Sequence, residues 1–314
     1  MSVSTIFEIV LAAVVLGLGI WTTAVRDTYS ATVGFVVYGL LVALIWVRLD
    51  AVDVALTEAA ISGGLGGVLL LGAAARLQDA KFMAADTPGK LACVSAAALS
   101  LLAVAALMVA VFLLPDSAST LAPAVVANAC TTGLTNPVTN VLMAFRAMDT
   151  MLEKVVLLLA LVGVWSLAPD GAWGGHPGPR HQADANGVLV FLARLLPPIG
   201  MIVGIYIFWT GADHPGGAFQ GGAILASMWL LAIMAGLTDT PPVNSQRLRL
   251  LLIAGPGLFL AVGLGGFWSG AAFLSYSPTL AKPLILGIEI AMIVTITTTL
   301  ALLLAGTPER SAQQ

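Results

Sequence analysis

The stretch WTGADHPGGAFQGGAILASMWLL, residues 209–231, contains the pattern that decides the fold. An apolar segment ends at Asp213, His214 and Pro215, two glycine pairs follow, and a second apolar segment begins immediately. Glycine and proline let the chain turn sharply and let backbones pack closely. Apolar blocks of about 20 residues recur along the whole chain, and a helix of that length crosses the hydrocarbon core of a membrane. We therefore interpret this stretch as the junction of two membrane helices.

The composition supports the same class of protein. Of the 314 residues 59% are hydrophobic and 9% are charged, whereas soluble domains carry about 25% charged residues. The chain is therefore expected to lie among lipids. The net charge of −3 is too small to indicate a nucleic-acid partner. The first residues, MSVSTIFEIV, have no basic region before the apolar run, so no cleavable signal peptide is predicted.

The spacing of the apolar blocks predicts an all-α, polytopic membrane helix bundle of about nine transmembrane helices. Each span has to satisfy its own backbone polar groups, which helices do, and the alternation typical of membrane β-barrels is absent from the sequence. The helices are predicted at about residues 5–25, 29–48, 53–75, 91–114, 149–168, 188–209, 216–237, 247–266 and 282–305.

The Lys and Arg residues in the loops predict that the N-terminus lies outside and the C-terminus in the cytoplasm. Nine basic residues fall on one side, namely Arg26, Arg76, Lys81, Lys90, Arg180, Arg194, Arg247, Arg249 and Arg310. Four fall on the other, namely Arg48, Arg146, Lys154 and Lys282. This orientation depends on an odd number of spans. The polar segment PDGAWGGHPGPRHQADANG, residues 169–187, separates a five-helix front part from a four-helix rear part.

Acids inside membrane spans are costly and are functional hypotheses by default. Glu58 lies five residues after Asp53, so it is about 7.5 Å deeper along a helix axis. Gly63 and Gly67 follow it and permit a close contact between helices. Glu58 is therefore a candidate for proton or cation transfer. The alternative is a carboxyl group that is hydrogen-bonded to a neighbouring helix for packing.

A cluster of charged residues lies at the start of the predicted fifth helix. Asp149 and Glu153 are spaced i, i+4 and share a face, with Arg146 one turn earlier. Glu153 and Lys154 are adjacent and point about 100° apart, so they are not predicted to pair. These residues are candidates for ion transfer, or they are interfacial charges at the start of a helix, where acids are favoured by the helix dipole.

Glu289 is the acid of the last predicted helix. Lys282 lies seven residues earlier, which is too far for direct contact without water or another side chain. Threonines 295, 297, 298 and 299 follow and either line a wet path or bond to their own helix. Glu289 is a candidate for ion transfer or for a subunit contact that shapes such a path.

Several classes of site have no support in the sequence. The three histidines, His176, His181 and His214, all lie outside the middle of the predicted spans, so haem ligation is not expected. Cys93 and Cys130 are too few for an iron–sulfur cluster. No phosphate-binding or nucleophile motif is present. We therefore expect neither an enzyme nor a bound cofactor.

The string GADHPGGAFQGGAILA, residues 211–226, resembles the signature turn of the MnhB/MrpB family, whose members are subunits of Mrp-type multisubunit cation/proton antiporters. LGIEIAMIV, residues 286–294, resembles the last helix of that subunit. The resemblance leaves open whether the signature positions serve transport or assembly. These positions are Asp213, His214, Pro215, Gly216, Gly217, Gln220, Gly221 and Gly222.

The front part is similar to two other membrane units of such complexes. LDAVDVALTEAAISGG, residues 49–64, resembles MbhD, and TNPVTNVLMAFRAMDTMLEKVVLLLALVGVWSLA, residues 135–168, resembles MbhE. Two positions differ from the usual pattern, because Val52 replaces a proline and Lys154 replaces an apolar residue. The resemblances divide the chain into an MbhD-like unit at 1–90, an MbhE-like unit at 91–170, a linker at 171–187 and an MrpB-like unit at 188–314.

The resemblance implies a multi-pass subunit of a cation/proton antiporter module in the cell membrane of a bacterium or archaeon. Its partners would be large antiporter-like subunits and small subunits like MrpC, MrpE, MrpF and MrpG. Only Na⁺ or H⁺ would be carried, and the motif positions that match the family give Glu58 and Glu153 as candidates. Glu289, Asp149, Lys154 and Lys282 are further candidates because of their place in the predicted spans. The alternative is an assembly subunit of a complex-I-like membrane complex with no ion path of its own.

Overall fold

The computed structural model describes residues 2–79, 89–114, 120–179, 181, 183–268 and 272–309. Within these residues the chain is a helical bundle with one pair of two-residue strands. Lys81, Arg180 and Arg310, which contribute to the predicted orientation, lie outside the described residues, as does the side chain of Arg76. The orientation across the membrane therefore stays a prediction.

The N-terminal part is a hairpin followed by an interrupted helix. Helix α1 spans Val3–Ala24 and α2 spans Thr28–Arg48. A third stretch consists of α3 (Val52–Glu58), a π-helical segment (Ala59–Leu65) and α4 (Gly66–Asp79). It packs closely on α2, since a methyl group at Gly63 would lie 2.6 Å from Leu40 Cδ2. The predicted close contact at these glycines is therefore present.

The middle of the chain contains one isolated helix and one packed helix. Helix α5 (Lys90–Leu113) has no buried residue along its described length. Then come α6 (Ala122–Asn128), a 3₁₀ turn (Ala129–Thr131), α7 (Pro137–Asn140), a π-helical segment (Val141–Phe145) and α8 (Ala147–Trp165). Asn136 caps α7 by accepting a hydrogen bond from the Val138 backbone amide at 2.9 Å, which satisfies one free helical donor.

The C-terminal part is a four-helix unit built around its last helix. A 3₁₀ turn (Asp170–Ala172) and strand β1 (His176–Pro177) precede the helices α9 (Val188–Thr210), α10 (Ala218–Met234), α11 (Gln246–Trp268) and α12 (Ala281–Ala305). Strand β2 (Pro308–Glu309) pairs antiparallel with β1. Helix α12 packs against α8, α10 and α11, so residues such as Ile285, Ile288 and Ile296 are fully buried.

The fold class is confirmed, and every predicted span coincides with a helical stretch. In the described part of the chain, seven helical stretches are long and apolar enough to cross a membrane: Val3–Ala24, Thr28–Arg48, Val52–Ala75, Lys90–Leu113, Val188–Thr210, Gln246–Trp268 and Ala281–Ala305. The other two predicted spans differ for physical reasons. Helix α8 carries charged residues in its first turns, and α10 has only 17 residues.

The ends of several helices meet at one end of the bundle, which we call the loop end and define by residues 211–217. Glu8 Oε1 and Arg48 Nη2 are 2.6 Å apart, which joins the start of α1 to the end of α2. Lys282, at the start of α12, contacts Asp213 in the loop itself. The start of α3 also lies here, through Asp53. These contacts position the candidate site.

Candidate functional site

The loop between α9 and α10 has a backbone shape that requires glycine. Gly216 and Gly217 have φ angles of 143° and 144°, a region that other residues rarely adopt. A side chain at Gly216 would also collide with the carbonyl oxygen of Ile207. In this shape the Gly216 amide points at α3 and donates a 2.8 Å hydrogen bond to Asp53 Oδ1. The signature glycines thus join the C-terminal unit to the N-terminal part.

Asp53 lies at the candidate site, although the sequence did not single it out as a candidate. It is buried, and its backbone carbonyl accepts a 2.9 Å bond from the Thr57 hydroxyl. Gln220 Nε2 donates to the same hydroxyl at 3.0 Å. The one available signal was the departure from the related motif at Val52, directly before Asp53.

The start of α7 is fastened to the same loop from the other side. Asn136 Nδ2 donates to the carbonyl oxygens of Gly211 at 3.1 Å and His214 at 2.9 Å. The Thr139 hydroxyl donates to the Gly211 oxygen at 2.6 Å. Buried backbone carbonyls need such partners, because an unpaired one is costly. The loop is therefore held by both the first and the second predicted unit.

A cavity of about 290 Å³ lies where these elements meet. Both π-helical segments border it, through Ile61 on one side and Leu142 and Met143 on the other. π-Helical turns are frequent at functional sites. Four charged side chains line the cavity within the described part of the chain: Asp53, Glu153, Lys154 and Glu289. Polar side chains add to them: Thr57, Thr139, Thr150 and Gln220.

Glu153 and Lys154 form an ion pair in this cavity. Lys154 Nζ lies 2.6 Å from Glu153 Oε1 and 5.3 Å from the centre of the Phe219 ring. The lysine side chain is only 2% exposed, whereas that of Glu153 is 52% exposed. The prediction that these two residues do not pair is wrong. The flexible four-carbon stem of lysine carries its ammonium far from the direction of the Cα–Cβ bond.

Glu289 is the most isolated acid of the cavity. It is 4% exposed, and its Oε2 atom has no hydrogen-bond partner among the residues that the structure describes. A buried, unpaired carboxyl oxygen is costly, and a proton, an ion or a water molecule can serve as its partner. Glu289 therefore offers an open position for a proton or a cation.

Three other candidates lie outside this cavity. Lys282 Nζ contacts both carboxylate oxygens of Asp213 at 3.1 Å, so it does not reach Glu289 directly, in line with the sequence spacing. Hydrogen bonds from Lys282 and then from Thr135 hold the pKa of Asp213 below its usual value. Arg146 and Asp149 form an exposed ion pair at 2.5 Å.

Glu58 also lies apart from the residues that line the cavity. Its carboxylate accepts a hydrogen bond from Ser62, one turn later in the π-helical segment. The side chain is half-buried, on helix α3, which packs mainly against α2. The structure thus brings Glu153, Lys154 and Glu289 together and leaves Glu58 to one side. Its role in ion transfer stays a prediction.

Metal-binding clusters are absent from the described residues, in which no group of three or more His, Cys, Asp or Glu side chains is placed to hold an ion. Cys93 and Cys130 are both exposed and lie on separate elements. Inside the cavity, Asp53 is occupied by the Gly216 amide and Glu153 by Lys154.

Two known families match different parts of the chain. Residues 188–307 match a domain described as related to the MnhB subunit of the Na⁺/H⁺ antiporter. Residues 13–79 match the MbhD family, which is described as a subunit of MBH. The first match spans α9 to α12 and the second spans α1 to α4, and these are the two parts that meet at Asp53 and Gly216.

Curated relatives include proteins that are named as antiporter subunits. A Na⁺/H⁺ antiporter subunit of Bacillus subtilis is 34% identical over 101 residues, which is 31% of this chain and 69% of that protein. A putative antiporter subunit mnhB2 of Staphylococcus aureus is 30% identical, over 34% of this chain and 77% of that protein. An uncharacterised protein of Methanocaldococcus jannaschii is 26% identical, over 44% of this chain and 59% of that protein.

Two solved structures have a similar fold. A chain of the Mrp complex from Dietzia sp. matches with a TM-score of 0.73 at 23% identity, over 97% of this chain. This chain spans only 35% of the length of that one. A chain of the membrane-bound sulfane sulfur reductase, an archaeal respiratory membrane complex, matches with a TM-score of 0.50 at 25% identity. That match covers 68% of this chain and 96% of the other. The chain thus has the fold of a multi-pass membrane subunit.

Proposed function

The chain belongs to the family of MnhB-related antiporter subunits, and from this premise we propose that its cavity is part of an ion path in a multisubunit cation/proton antiporter. The subunit would act with large antiporter-like subunits and small subunits like MrpC, MrpE, MrpF and MrpG. It would carry H⁺ or Na⁺ and hold no cofactor. Its relatives are named as antiporter subunits, which are transporters rather than enzymes.

The observation that carries this proposal is the buried, unpartnered carboxyl group of Glu289. It lines a cavity that also contains the half-exposed Glu153. A carboxyl group that is sheltered but reaches polar space takes up and releases protons with little rearrangement. The exposed side of Glu153 supplies a connection to the outside of the subunit. Together the two acids support a short relay across the junction of the units.

The test is a Glu289→Gln variant in everted membrane vesicles that contain the complete complex. We expect cation-driven proton movement to fall by at least about tenfold, because the amide keeps the shape but cannot carry a proton. A pH-sensitive dye reports the movement. Glu309→Gln is the matched control, since Glu309 is exposed on β2 and is not among the residues that line the cavity.

A second function, that of an assembly subunit without an ion path, is favoured by a different observation. The signature loop donates or accepts hydrogen bonds to Asp53, Asn136 and Thr139, which all belong to other parts of the same chain. If this role is the whole function, Glu289→Gln leaves exchange unchanged. Gly221→Leu then prevents assembly, because Gly204 O would lie 2.6 Å from the first added carbon. Co-purification of the partner subunits separates these two results.

A further inference from the structure

Among the described residues, four charged side chains line the cavity, and that of Lys154 is the positively charged one. Three acids share the cavity with it, namely Asp53, Glu153 and Glu289. A buried lysine is uncommon, since a charge that leaves water needs a partner. Its presence at this place therefore calls for an explanation beyond packing.

The ammonium of Lys154 occupies a position in the cavity that attracts positive charge. It contacts Glu153 Oε1 at 2.6 Å, and the face of the Phe219 ring lies on another side of it at 5.3 Å. Both contacts are attractive to a compact positive charge. The lysine stem is fully packed, with 2% of the side chain exposed. The ammonium is therefore a fixed part of the cavity wall.

We propose that Lys154 makes this cavity selective for protons over metal cations such as Na⁺ and K⁺. The proposal rests on the proposed function, because it requires that ions pass through the cavity. It assigns Lys154 as a specificity-determining residue. The ammonium acts as a built-in cation that a metal ion would have to displace, whereas a proton passes beside it.

The physical reason is the difference between what a metal ion and a proton need. A hard cation has to replace its lost water with several oxygen ligands. Among the described residues, no three acids lie close enough to provide them. A metal ion near the ammonium is also repelled, and repulsion is strong where water is scarce. A proton needs only one oxygen, and Glu289 Oε2 is free of partners in the described structure.

The test compares Na⁺ uptake with proton flux in proteoliposomes that contain the complete complex. Lys154→Met removes the charge and keeps a flexible chain of similar length. We expect the ratio of ²²Na⁺ uptake to proton flux to rise at least about tenfold, because a unit charge at short range is worth more than that factor. The ratio is independent of how much complex assembles.

Two further variants separate charge from shape. Lys154→Arg keeps the positive charge, so we expect the ratio to remain that of the unaltered complex. Lys90→Met is the matched control, since Lys90 lies at the exposed start of α5. The proposal is overturned if Lys154→Met leaves the ratio unchanged, or if Lys154→Arg raises it as much as Lys154→Met does.

The result is distinguishable from a failure of the proposed function. If no ions pass through this cavity, Glu289→Gln leaves proton flux unchanged and all the Lys154 variants match the unaltered complex. If protons pass but Lys154 does not select them, Glu289→Gln lowers the flux while Lys154→Met leaves the ratio unchanged. Selectivity by Lys154 requires both a loss with Glu289→Gln and a rise with Lys154→Met.

Discussion

Among the residues that the structure describes, two lysine–carboxylate pairs differ mainly in their exposure. In the inner pair, Lys154 is 2% exposed and lies 2.6 Å from Glu153. In the outer pair, the side chain of Lys282 is 38% exposed and that of Asp213 is 43% exposed, and Lys282 Nζ lies 3.1 Å from Asp213 Oδ1. An exposed pair is screened by water and contributes little, whereas a buried charge depends on its partner. The same chemistry can therefore serve selectivity inside and fastening outside.

The largest loss of thermal stability is expected when the acid of the inner pair, Glu153, is replaced. Glu153→Leu leaves a buried ammonium without its partner, and such a change costs about 3 kcal/mol, the low end of the range because Glu153 is half exposed. The midpoint of thermal inactivation of the purified complex should fall clearly. The double variant Glu153→Leu with Lys154→Met should recover most of the loss. A double variant as unstable as Glu153→Leu alone would contradict the importance of the buried charge.

An intermediate loss of thermal stability is expected from a change in the loop at 211–217, which contains Asp213 of the outer pair and borders the cavity. Gly216→Ala forces an unfavourable φ angle and a collision with Ile207, which together cost about 2 kcal/mol. It should also loosen the Asp53 contact and expose the cavity. Gly257→Ala is a matched control, because an added carbon at Gly257 meets no neighbour within 4 Å among the described residues. Equal thermal midpoints for the two variants would show that the loop is not under this constraint.

The smallest loss of thermal stability is expected when the lysine of the outer pair, Lys282, is replaced. Lys282→Met should cost less than about 1 kcal/mol because the pair is exposed. Lys282 and Thr135 lower the pKa of Asp213 from its usual 3.8, so the pair contributes fully above that value and is lost only as the pH falls below it. Between about pH 5 and 8 the difference in thermal midpoint between Lys282→Met and the unaltered complex should therefore stay constant. A difference that varied across this range would assign the titration to another group.

The sequence predicted the helices well and the contacts between them poorly. Apolar blocks fix where helices lie, because membrane length is a strong constraint. The predicted ends of the helices differ from the observed ends by a few residues, since capping residues such as Asp27 and Asn136 decide where helices begin. The two π-helical segments carry no clear local pattern and were not predicted. They become visible only when the packing around residues 61 and 142 is known.

The candidate site was predictable in part. Glu153 and Glu289 could be singled out, because an acid in an apolar block is conspicuous. The pairing of Lys154 could not be predicted, since it depends on the torsion angles of a long side chain rather than on helix geometry. Asp53 could not be assigned either, because its partner Gly216 is 163 residues away in sequence. A contact between residues so far apart in sequence is set by the tertiary structure.

The small strand pair at the other end of the bundle has a topological consequence. His176 pairs with Glu309, and Pro177 with Pro308, so the chain returns to the same face after α9, α10, α11 and α12. Only an even number of crossings permits this, so α10 must cross as well. Its 17 residues reach about 26 Å, short of a hydrocarbon layer of about 30 Å. The turns at the two ends of α10, one of which is the turn at 211–217, therefore have to span the remaining distance of about 4 Å.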